Sequence, residues 1–192
     1  MEIKRCQWPD NDLLMIRYHD QEWGTPIFED QKLFEYIVLG TFQAGLNWRM
    51  ILHKRDNFRK AFLEFNPQVI ALFKQNEINS LLENKGIIRN KAKIVATVNN
   101  ATRFLEIQKN YGTFSGFIWS YTKNKPIHNS WTNISQIPSR SELSDRISRD
   151  LIKAGFKFAG TKIVYAFLQA IGMVNDHTKD CFRYREIQAM VL

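Results

Sequence analysis

Apolar residues recur at the spacing of an α-helix along most of the chain. Residues 29–39 and residues 47–64 show this most clearly, because apolar side chains three and four positions apart form one stripe in each. The stripes consist of Leu33, Phe34, Ile37 and Val38 in the first stretch and of Trp48, Ile51, Leu52, Phe58 and Phe62 in the second. No run alternates with a period of two for long enough to require a sheet, so the pattern predicts an all-α fold.

Capping residues indicate where further helices begin and end. Asn66 precedes a proline, and Thr113 and Ser141 each precede an apolar stretch with helical spacing, so each is expected to cap a helix at its N-terminus. Gly155 is expected to end the helix that Ser141 begins. Gly172 is expected to end a last apolar helix that begins near residue 161.

The length of 192 residues fits one domain, or two small lobes that share a core. Residues 122–140 form the longest segment without periodicity. The segment is too short and too apolar for a free linker, so we expect an ordered connection. No internal repeat is visible. The sequence therefore predicts a single domain over residues 1–192, with two helical lobes.

The net charge of +8 arises from 27 Lys and Arg against 19 Asp and Glu. The excess is uneven: residues 49–60 carry five basic residues against one acid, and residues 85–103 carry five with none. Two such clusters suit a polyanion, although the same charge would also serve general solubility. An aromatic content of 13% favours nucleic acid slightly, because aromatic rings can stack on bases.

Several classes of protein are disfavoured. No stretch without Asp, Glu, Lys or Arg exceeds 14 residues, and the apolar ones, Tyr36–Trp48 and Ile163–Asn175, have 13 each. A bilayer crossing needs about 20 apolar residues, so no membrane partner is expected. The N-terminal sequence lacks an apolar leader, which predicts a cytoplasmic protein. Two cysteines exclude a disulfide framework. No phosphate loop or GxGxxG motif is present, so no nucleotide cofactor is expected, and the chain is expected to be a monomer.

Both cysteines have a histidine nearby in sequence. Cys6 and His19 lie near the start, and His177 and Cys181 lie near the end with a spacing of i,i+4, which would place them on one face of a helical turn. Two cysteines and two histidines suit a closed tetrahedral zinc site. The alternative is two buried thiols and two unrelated histidines. The metal interpretation predicts a structural Zn²⁺ that joins the two ends of the chain.

A helical hairpin is predicted near residues 79–98. One helix is expected to end at Gly86, and a second to begin near Asn90, with Lys91 and Lys93 in its first turn. This is the layout of a helix-hairpin-helix, in which backbone amides and a helix N-terminus face a phosphate. An ordinary helical hairpin with a glycine C-cap is the alternative.

Four aromatic residues, Trp8, Tyr18, Trp23 and Trp48, lie close to polar residues in the first quarter of the chain. They could line a pocket that stacks a base. In most helical proteins such residues simply belong to the core, and that alternative stays open.

Four segments together resemble a known family. They are RYHDQEWG (17–24), QAGLNW (43–48), GIIRNKAKI (86–94) and GFKFAGTKIVYAFLQAIGMVNDH (155–177). In order and spacing they are similar to the DNA-3-methyladenine glycosylase I family, from about Cys6 to Cys181. The resemblance implies a helix-hairpin-helix DNA glycosylase-like fold and a structural zinc whose ligand positions fall on Cys6, His19, His177 and Cys181. It also implies hydrolysis of the N-glycosidic bond of 3-methyladenine in double-stranded DNA after base flipping.

The resemblance also suggests residue roles. The base-binding aromatic residues fall on Trp8, Tyr18 and Trp48, and the wedge that fills the vacated base stack falls on Gly45 and Leu46. DNA contact is expected at these two residues and, in the hairpin, at Gly86, Lys91 and Lys93. The family lacks a catalytic aspartate, so no catalytic residue is assigned.

Three positions depart from the family pattern. The glutamate that the family places before the QAG motif is Gly40 here, the glutamine two positions later is Phe42, and an aromatic near the pocket entrance is Met15. Gly40 and Phe42 are therefore expected to make the base-binding pocket less polar than is usual in the family. Two alternatives follow, a glycosylase with a different base specificity and a non-catalytic protein that binds lesions.

Overall fold

The fold is almost entirely helical, as the sequence predicts. The computed structural model describes residues 3–190. These residues form eleven α-helices: α1 (Leu13–Gln21), α2 (Asp30–Gln43), α3 (Trp48–His53), α4 (Arg55–Ala61), α5 (Pro67–Ile70), α6 (Gln75–Glu83), α7 (Lys91–Tyr111), α8 (Phe114–Ser120), α9 (Glu142–Lys153), α10 (Thr161–Ala170) and α11 (Phe182–Gln188). No helix within residues 3–190 is long and apolar enough to cross a bilayer.

The predicted capping residues act as expected. The side chain of Asn66 accepts backbone N–H groups at the start of α5, that of Thr113 at the start of α8, and that of Ser141 at the start of α9. These bonds satisfy donors that a helix N-terminus leaves without partners. Gly155 follows α9 with φ +91°, and Gly172 follows α10 with φ +71°, a region that favours glycine.

The helix predicted over residues 47–64 is divided in the structure. It breaks at Lys54, which separates α3 from α4, and a 3-10 turn with positive φ values follows at Leu63–Phe65. Phe58 and Phe62 are nevertheless fully buried. The apolar stripe was therefore identified correctly, but its spacing carries no information on a break that leaves the same residues facing inward.

Helix α2 lies at the centre of the core. It packs against α3, α7, α8 and α10, and Leu33, Phe34, Leu39 and Phe42 on it are completely buried. A helix surrounded on most sides carries apolar residues around most of its circumference, as α2 does. Most of the buried apolar side chains among the described residues join in a single cluster that includes residues from Cys6 to Cys181.

The segment 122–140 is ordered and supplies one strand of the two-stranded sheet found in the described chain. Strand β1 (Ile127–His128) pairs in parallel with β2 (Val174–Asn175), with Ile127 opposite Val174. The buried Asp176, directly after β2, accepts hydrogen bonds of 2.6–2.8 Å from Asn129, Trp131, Tyr165 and Gln169. One carboxylate thus attaches this segment to α10 and to the end of the chain.

Gly172 allows a close approach that no other residue permits. An added Cβ would overlap the carbonyl carbon of Thr25 and the nitrogen of Pro26, whereas Gly112, with φ +82°, has open space around it. Both alanine substitutions incur backbone strain of about 1–2 kcal/mol, but only Gly172→Ala adds the overlap, at roughly 1–3 kcal/mol more. We expect urea unfolding to show that larger loss for Gly172→Ala. Equal losses for the two variants would contradict this account.

Candidate functional site

The four predicted metal ligands lie together in the interior. Cys6 precedes α1, His19 lies on α1, and His177 and Cys181 lie between β2 and α11. All four are buried, and their ligand atoms lie within 4.8 Å of one another. The Cys181 Sγ is 3.5 Å from both His19 Nε2 and His177 Nδ1, and the Cys6 Sγ is 3.6 Å from His177 Nδ1. The group could hold a metal ion.

The local geometry differs from the expectation for the last two ligands. His177 and Cys181 are not on a helix: they flank a turn in which the Cys181 N–H donates to Thr178 O at 2.8 Å, and Cys181 is the N-cap of α11. A turn of this size also brings residues i and i+4 together. The spacing therefore predicted the contact correctly and the secondary structure wrongly.

Partners outside the cluster fix both imidazole rings. His177 Nε2 is 3.0 Å from Trp23 O, and His19 Nδ1 is 2.7 Å from the Asp20 carboxylate. A carbonyl and a carboxylate accept protons, so each ring presents its other nitrogen as a lone pair toward the thiols. Ligand separations near 3.5 Å match the edge of a tetrahedron with bonds of about 2.0–2.3 Å. The two-nitrogen, two-sulfur donor set therefore fits zinc.

An aromatic cavity lies beside the cluster. Its volume is about 440 Å³. The Trp23 ring packs 4.6 Å from the His177 ring, and the Trp8 ring lies 5.3 Å from the His19 ring. The imidazoles of the cluster thus support one wall of the cavity.

Most of the predicted base-binding residues line this cavity. Trp8, Tyr18, Gly40 and Trp48 are all on its wall, together with Met15. The Trp48 and Tyr18 ring centres are 5.1 Å apart. Trp23, the fourth aromatic residue that the sequence suggested for a pocket, also lines the cavity. The remaining lining residues were not predicted from the sequence; they are Tyr36, Gln43, Ile134, Ile137, Ala166, Phe167, Gln169 and Ala170.

Phe42 does not reach the cavity, and its prediction as a base-binding residue is wrong. It is completely buried, with its ring 4.7 Å from that of Phe58 and 5.7 Å from that of Phe62. Two residues along a helix correspond to a rotation of about 200°, so Phe42 points away from the side on which Gly40 meets the cavity. Tyr36, four residues before Gly40, shares that side, and this spacing was the signal that could have identified it.

No carboxylate is among the described residues that line the cavity. Glu22 lies behind the aromatic wall, where it accepts hydrogen bonds from the Tyr36 hydroxyl at 3.0 Å and from Arg55 Nη1 at 2.7 Å. Arg55 also donates to Glu35 at 2.7 Å and lies over the Tyr36 ring. Burial raises the pKa of Tyr18 and of Tyr36, so both phenols remain neutral.

Two polar groups on the cavity wall lack protein partners. The indole N–H groups of Trp8 and Trp48 are buried and make no hydrogen bond within residues 3–190. A buried donor without a partner costs free energy, which a bound molecule with acceptor atoms can recover.

The predicted basic cluster over residues 49–60 is largely neutralised. Arg49 pairs with Asp10 and Asp12, and Arg55 is buried between Glu22 and Glu35. Arg59 pairs with Glu35 and Asp56. Acids therefore neutralise the three arginines of this cluster, whereas Lys60 is exposed without an ion pair within residues 3–190.

The hairpin between α6 and α7 carries a different set of cations. Lys85, Arg89 and Lys91 are exposed, and they have no ion-pair partner in the described part of the chain. Helix α6 ends at Glu83 rather than at Gly86, whose N–H donates to the Asn84 side chain at 2.8 Å. Helix α7 begins after Asn90, as predicted.

Lys93 is not one of these exposed cations, which corrects its prediction as a DNA contact. Its side chain is buried, and burial lowers its pKa. The ammonium donates to Phe42 O at 2.7 Å and to Ala44 O at 2.5 Å. The next two residues, Gly45 and Leu46, are exposed as expected, with φ +76° at Gly45.

Comparison with known proteins decides the family. The profile of the methyladenine glycosylase family matches residues 8–184. The chain belongs to this family. It is 42% identical over 182 residues to DNA-3-methyladenine glycosylase 1 of Escherichia coli (strain K12), covering 95% of this chain and 97% of the relative. It is 44% identical over 177 residues to the DNA-3-methyladenine glycosylase of Haemophilus influenzae (strain ATCC 51907 / DSM 11121 / KW20 / Rd), covering 92% and 96%.

The likeness extends to three dimensions. A crystal structure of 3-methyladenine DNA glycosylase I superposes with a TM-score of 0.91 at 43% identity, over 93% of this chain and 98% of that one. The family resemblance seen in the sequence is thereby confirmed. The prediction that this methyladenine glycosylase family member is an enzyme, an N-glycosylase-like hydrolase, is confirmed as well.

Glu22 should make the stability of this family member depend on pH. Burial opposes its ionisation, but the charge and hydrogen bond of Arg55 outweigh it, so the pKa of Glu22 lies below its usual range. A lowered folded-state pKa contributes stability above the unfolded-state pKa of about 4.3, and this stability is lost as the pH falls through the folded-state value. We expect Glu22→Gln to be less stable at neutral pH and to lose less stability on acidification than wild type. The free energy of unfolding is measured by chemical denaturation across pH, with Glu83→Gln at an exposed site as the control variant. If it depends on pH identically in wild type and both variants, Glu22 is not the group responsible.

Proposed function

We propose that the chain hydrolyses the N-glycosidic bond of 3-methyladenine, or of a related alkylated base, in double-stranded DNA. The observation that carries this proposal is the aromatic cavity of about 440 Å³, with Trp8, Tyr18 and Trp48 on its wall, in a chain of the methyladenine glycosylase family. A base cannot be reached inside a duplex, so the nucleotide must rotate out of the stack and enter the cavity.

The absence of an acid on the described cavity wall is compatible with this chemistry. Adenine methylated at N3 carries a positive charge and departs readily once the bond begins to break. The contribution of the protein is then to extract the nucleotide, stack the base on aromatic rings and exclude other bases. No side chain is assigned as general acid or base.

The DNA duplex is proposed to bind across the hairpin between α6 and α7. Lys85, Arg89 and Lys91 supply exposed positive charge there, and the N-terminus of α7 adds the positive end of a helix dipole. In this proposal the hairpin serves as the helix-hairpin-helix element. Gly45 and Leu46 lie in sequence between two residues of the cavity wall, Gln43 and Trp48, and Leu46 is exposed. This position beside the cavity supports a role for the two residues as the wedge that fills the vacated stack.

A second candidate function is release of a different base. Gly40 lies on the wall at the position where the family has a glutamate, so a cationic base would lack an ionised partner there. A small void of about 30 Å³ adjoins the same position. An uncharged or bulkier adduct would suit such a wall. A protein that binds lesions without cutting the N-glycosidic bond would need the same cavity.

We also propose that Cys6, His19, His177 and Cys181 hold a structural Zn²⁺. Four protein ligands leave no open coordination position, so the ion would supply folding free energy and no step of the reaction. Its support comes from the burial of all four residues and from the fixed orientation of the two imidazoles.

Gly40→Glu tests which base the cavity takes. An added Cβ at Gly40 meets only Ile163, at 3.5 Å, and a glutamate in a helix is favoured over glycine by up to about 1 kcal/mol. A buried carboxylate paired with a cation is worth roughly 2–5 kcal/mol, so we expect release of 3-methyladenine from methylated duplex to rise about 30-fold or more. The uncharged Gly40→Gln is the matched control and should gain much less.

The same variants are measured on a duplex that contains ethenoadenine, an uncharged adduct. If the protein has turned to neutral bases, Gly40→Glu should lower release there because it buries an unpaired charge. Tight lesion binding without release of either base by wild type or variant would defeat the glycosylase proposal and favour the lesion-binding one.

Zinc content is the second test. We expect one zinc per chain in wild type and in His53→Gln, a histidine outside the cluster, and substantially less in Cys181→Ser and His177→Gln, measured by elemental analysis. The melting temperature should fall in the same two variants and on chelation, because the site exists only in the folded chain. Metal-free wild type with unchanged stability would refute the proposal.

A further inference from the structure

Lys93 is a buried cation that joins two parts of the proposed DNA-binding surface. It lies in the first turn of α7, directly after the hairpin, and is only 6% exposed. Its ammonium donates to two carbonyl oxygens near the Gly45–Leu46 turn, those of Phe42 and Ala44. A buried lysine held by two acceptors has a defined position rather than a solvated one.

The two acceptors are at the end of α2. The last carbonyls of a helix lack helical partners and carry the negative end of its dipole, so an ammonium is well placed there. The chain then turns sharply: Leu46 N donates to Gln43 O at 2.7 Å, and Gly45 takes a positive φ. The turn that carries Leu46 is therefore fixed by its own hydrogen bond and by Lys93.

The other end of the connection is equally well fixed. The Asn90 side chain accepts the Lys93 backbone N–H at 3.1 Å, which sets the start of α7. Lys54 Nζ donates to Gly86 O at 3.2 Å and attaches the hairpin to the α3–α4 junction. Lys93 thus connects the Gly45–Leu46 turn to a hairpin that Lys54 and Asn90 hold in place.

We infer that Lys93 is a positioning residue that holds the Gly45–Leu46 turn in register with the α6–α7 hairpin. This inference rests on the proposed function. When the hairpin binds the DNA backbone, the bridge places Leu46 at the base stack, so extraction of the nucleotide depends on Lys93 although Lys93 touches no DNA. The role differs from a phosphate contact, which needs an exposed cation, and from general stabilisation, which would affect every substrate alike.

Lys93→Met and Lys91→Met form a matched pair two residues apart, one buried and one exposed. Affinity for undamaged duplex is measured against salt. Removal of a phosphate contact reduces the slope of log K against log salt by about 0.9, so we expect this change for Lys91→Met and none for Lys93→Met. A reduced slope for Lys93→Met would overturn the inference in favour of a direct contact.

Release of the alkylated base is then measured under single-turnover conditions on two duplexes. In one the lesion lies opposite a base; in the other it lies opposite an abasic site, where no pairing partner opposes its extraction. Misplacement of a working group by about 1 Å can cost about 100-fold, so we expect Lys93→Met to lose about ten- to hundredfold on the paired lesion and much less opposite the abasic site. Leu46→Ala should show the same difference, and the double variant should lose little more than either single one. Equal losses of Lys93→Met on both substrates, or additive losses in the double variant, would overturn the inference.

Two further measurements keep the result interpretable. Lys93→Gln, which keeps an uncharged N–H donor group, is compared in the same assays if Lys93→Met does not fold. The fluorescence of 2-aminopurine beside the lesion reports insertion of the wedge without any bond cleavage. If wild type releases no base, the catalytic proposal fails, while loss of that fluorescence change in the Lys93 variant still supports its positioning role and an unchanged signal contradicts it.

Discussion

The packing of the N-terminal segment against the turn before α11 is the constraint on which the site depends. Cys6, His19, His177 and Cys181 are all buried with their ligand atoms within 4.8 Å of one another, and Trp8 and Trp23 pack on the two imidazoles. One wall of the cavity is therefore built on the cysteine–histidine cluster. A displacement of the cluster would therefore also displace the Trp8 and Trp23 rings of the cavity.

Helix α2 supplies another part of the cavity wall, and one buried helix thereby serves several purposes. Tyr36 and Gly40 share the side that meets the cavity, while Phe42 completes an aromatic cluster on another side. Its final carbonyls accept the buried ammonium of Lys93. A substitution on α2 can thus affect the cavity, the core or the exposed turn after the helix, depending on a rotation of about 100° per residue.

The features that the sequence predicts well depend on local chemistry. Asn66, Thr113 and Ser141 act as caps because the bond runs to a backbone N–H two or three residues away. The cysteine–histidine set could be recognised because such residues are rare in the chain. Phe42 and Lys93 were misplaced because their surroundings come from distant segments: spacing shows that a lysine follows a hairpin, but only the fold shows carbonyls 49 and 51 residues away that bury it.

A cavity without a carboxylate can still prefer a cationic base. An aromatic face attracts a cation by about 0.5–2 kcal/mol, less than the roughly 2–5 kcal/mol of a buried ion pair, and Tyr18, Tyr36 and Trp48 offer such faces on one wall. Neutral undamaged bases stack on the same rings, so binding alone discriminates only weakly between a cationic alkylated base and an undamaged one. In the proposed reaction, the remaining selectivity comes from the base itself, because a positively charged leaving group departs far more readily than a neutral one. Selection at bond cleavage would allow a permissive wall at Gly40 to coexist with a specific reaction.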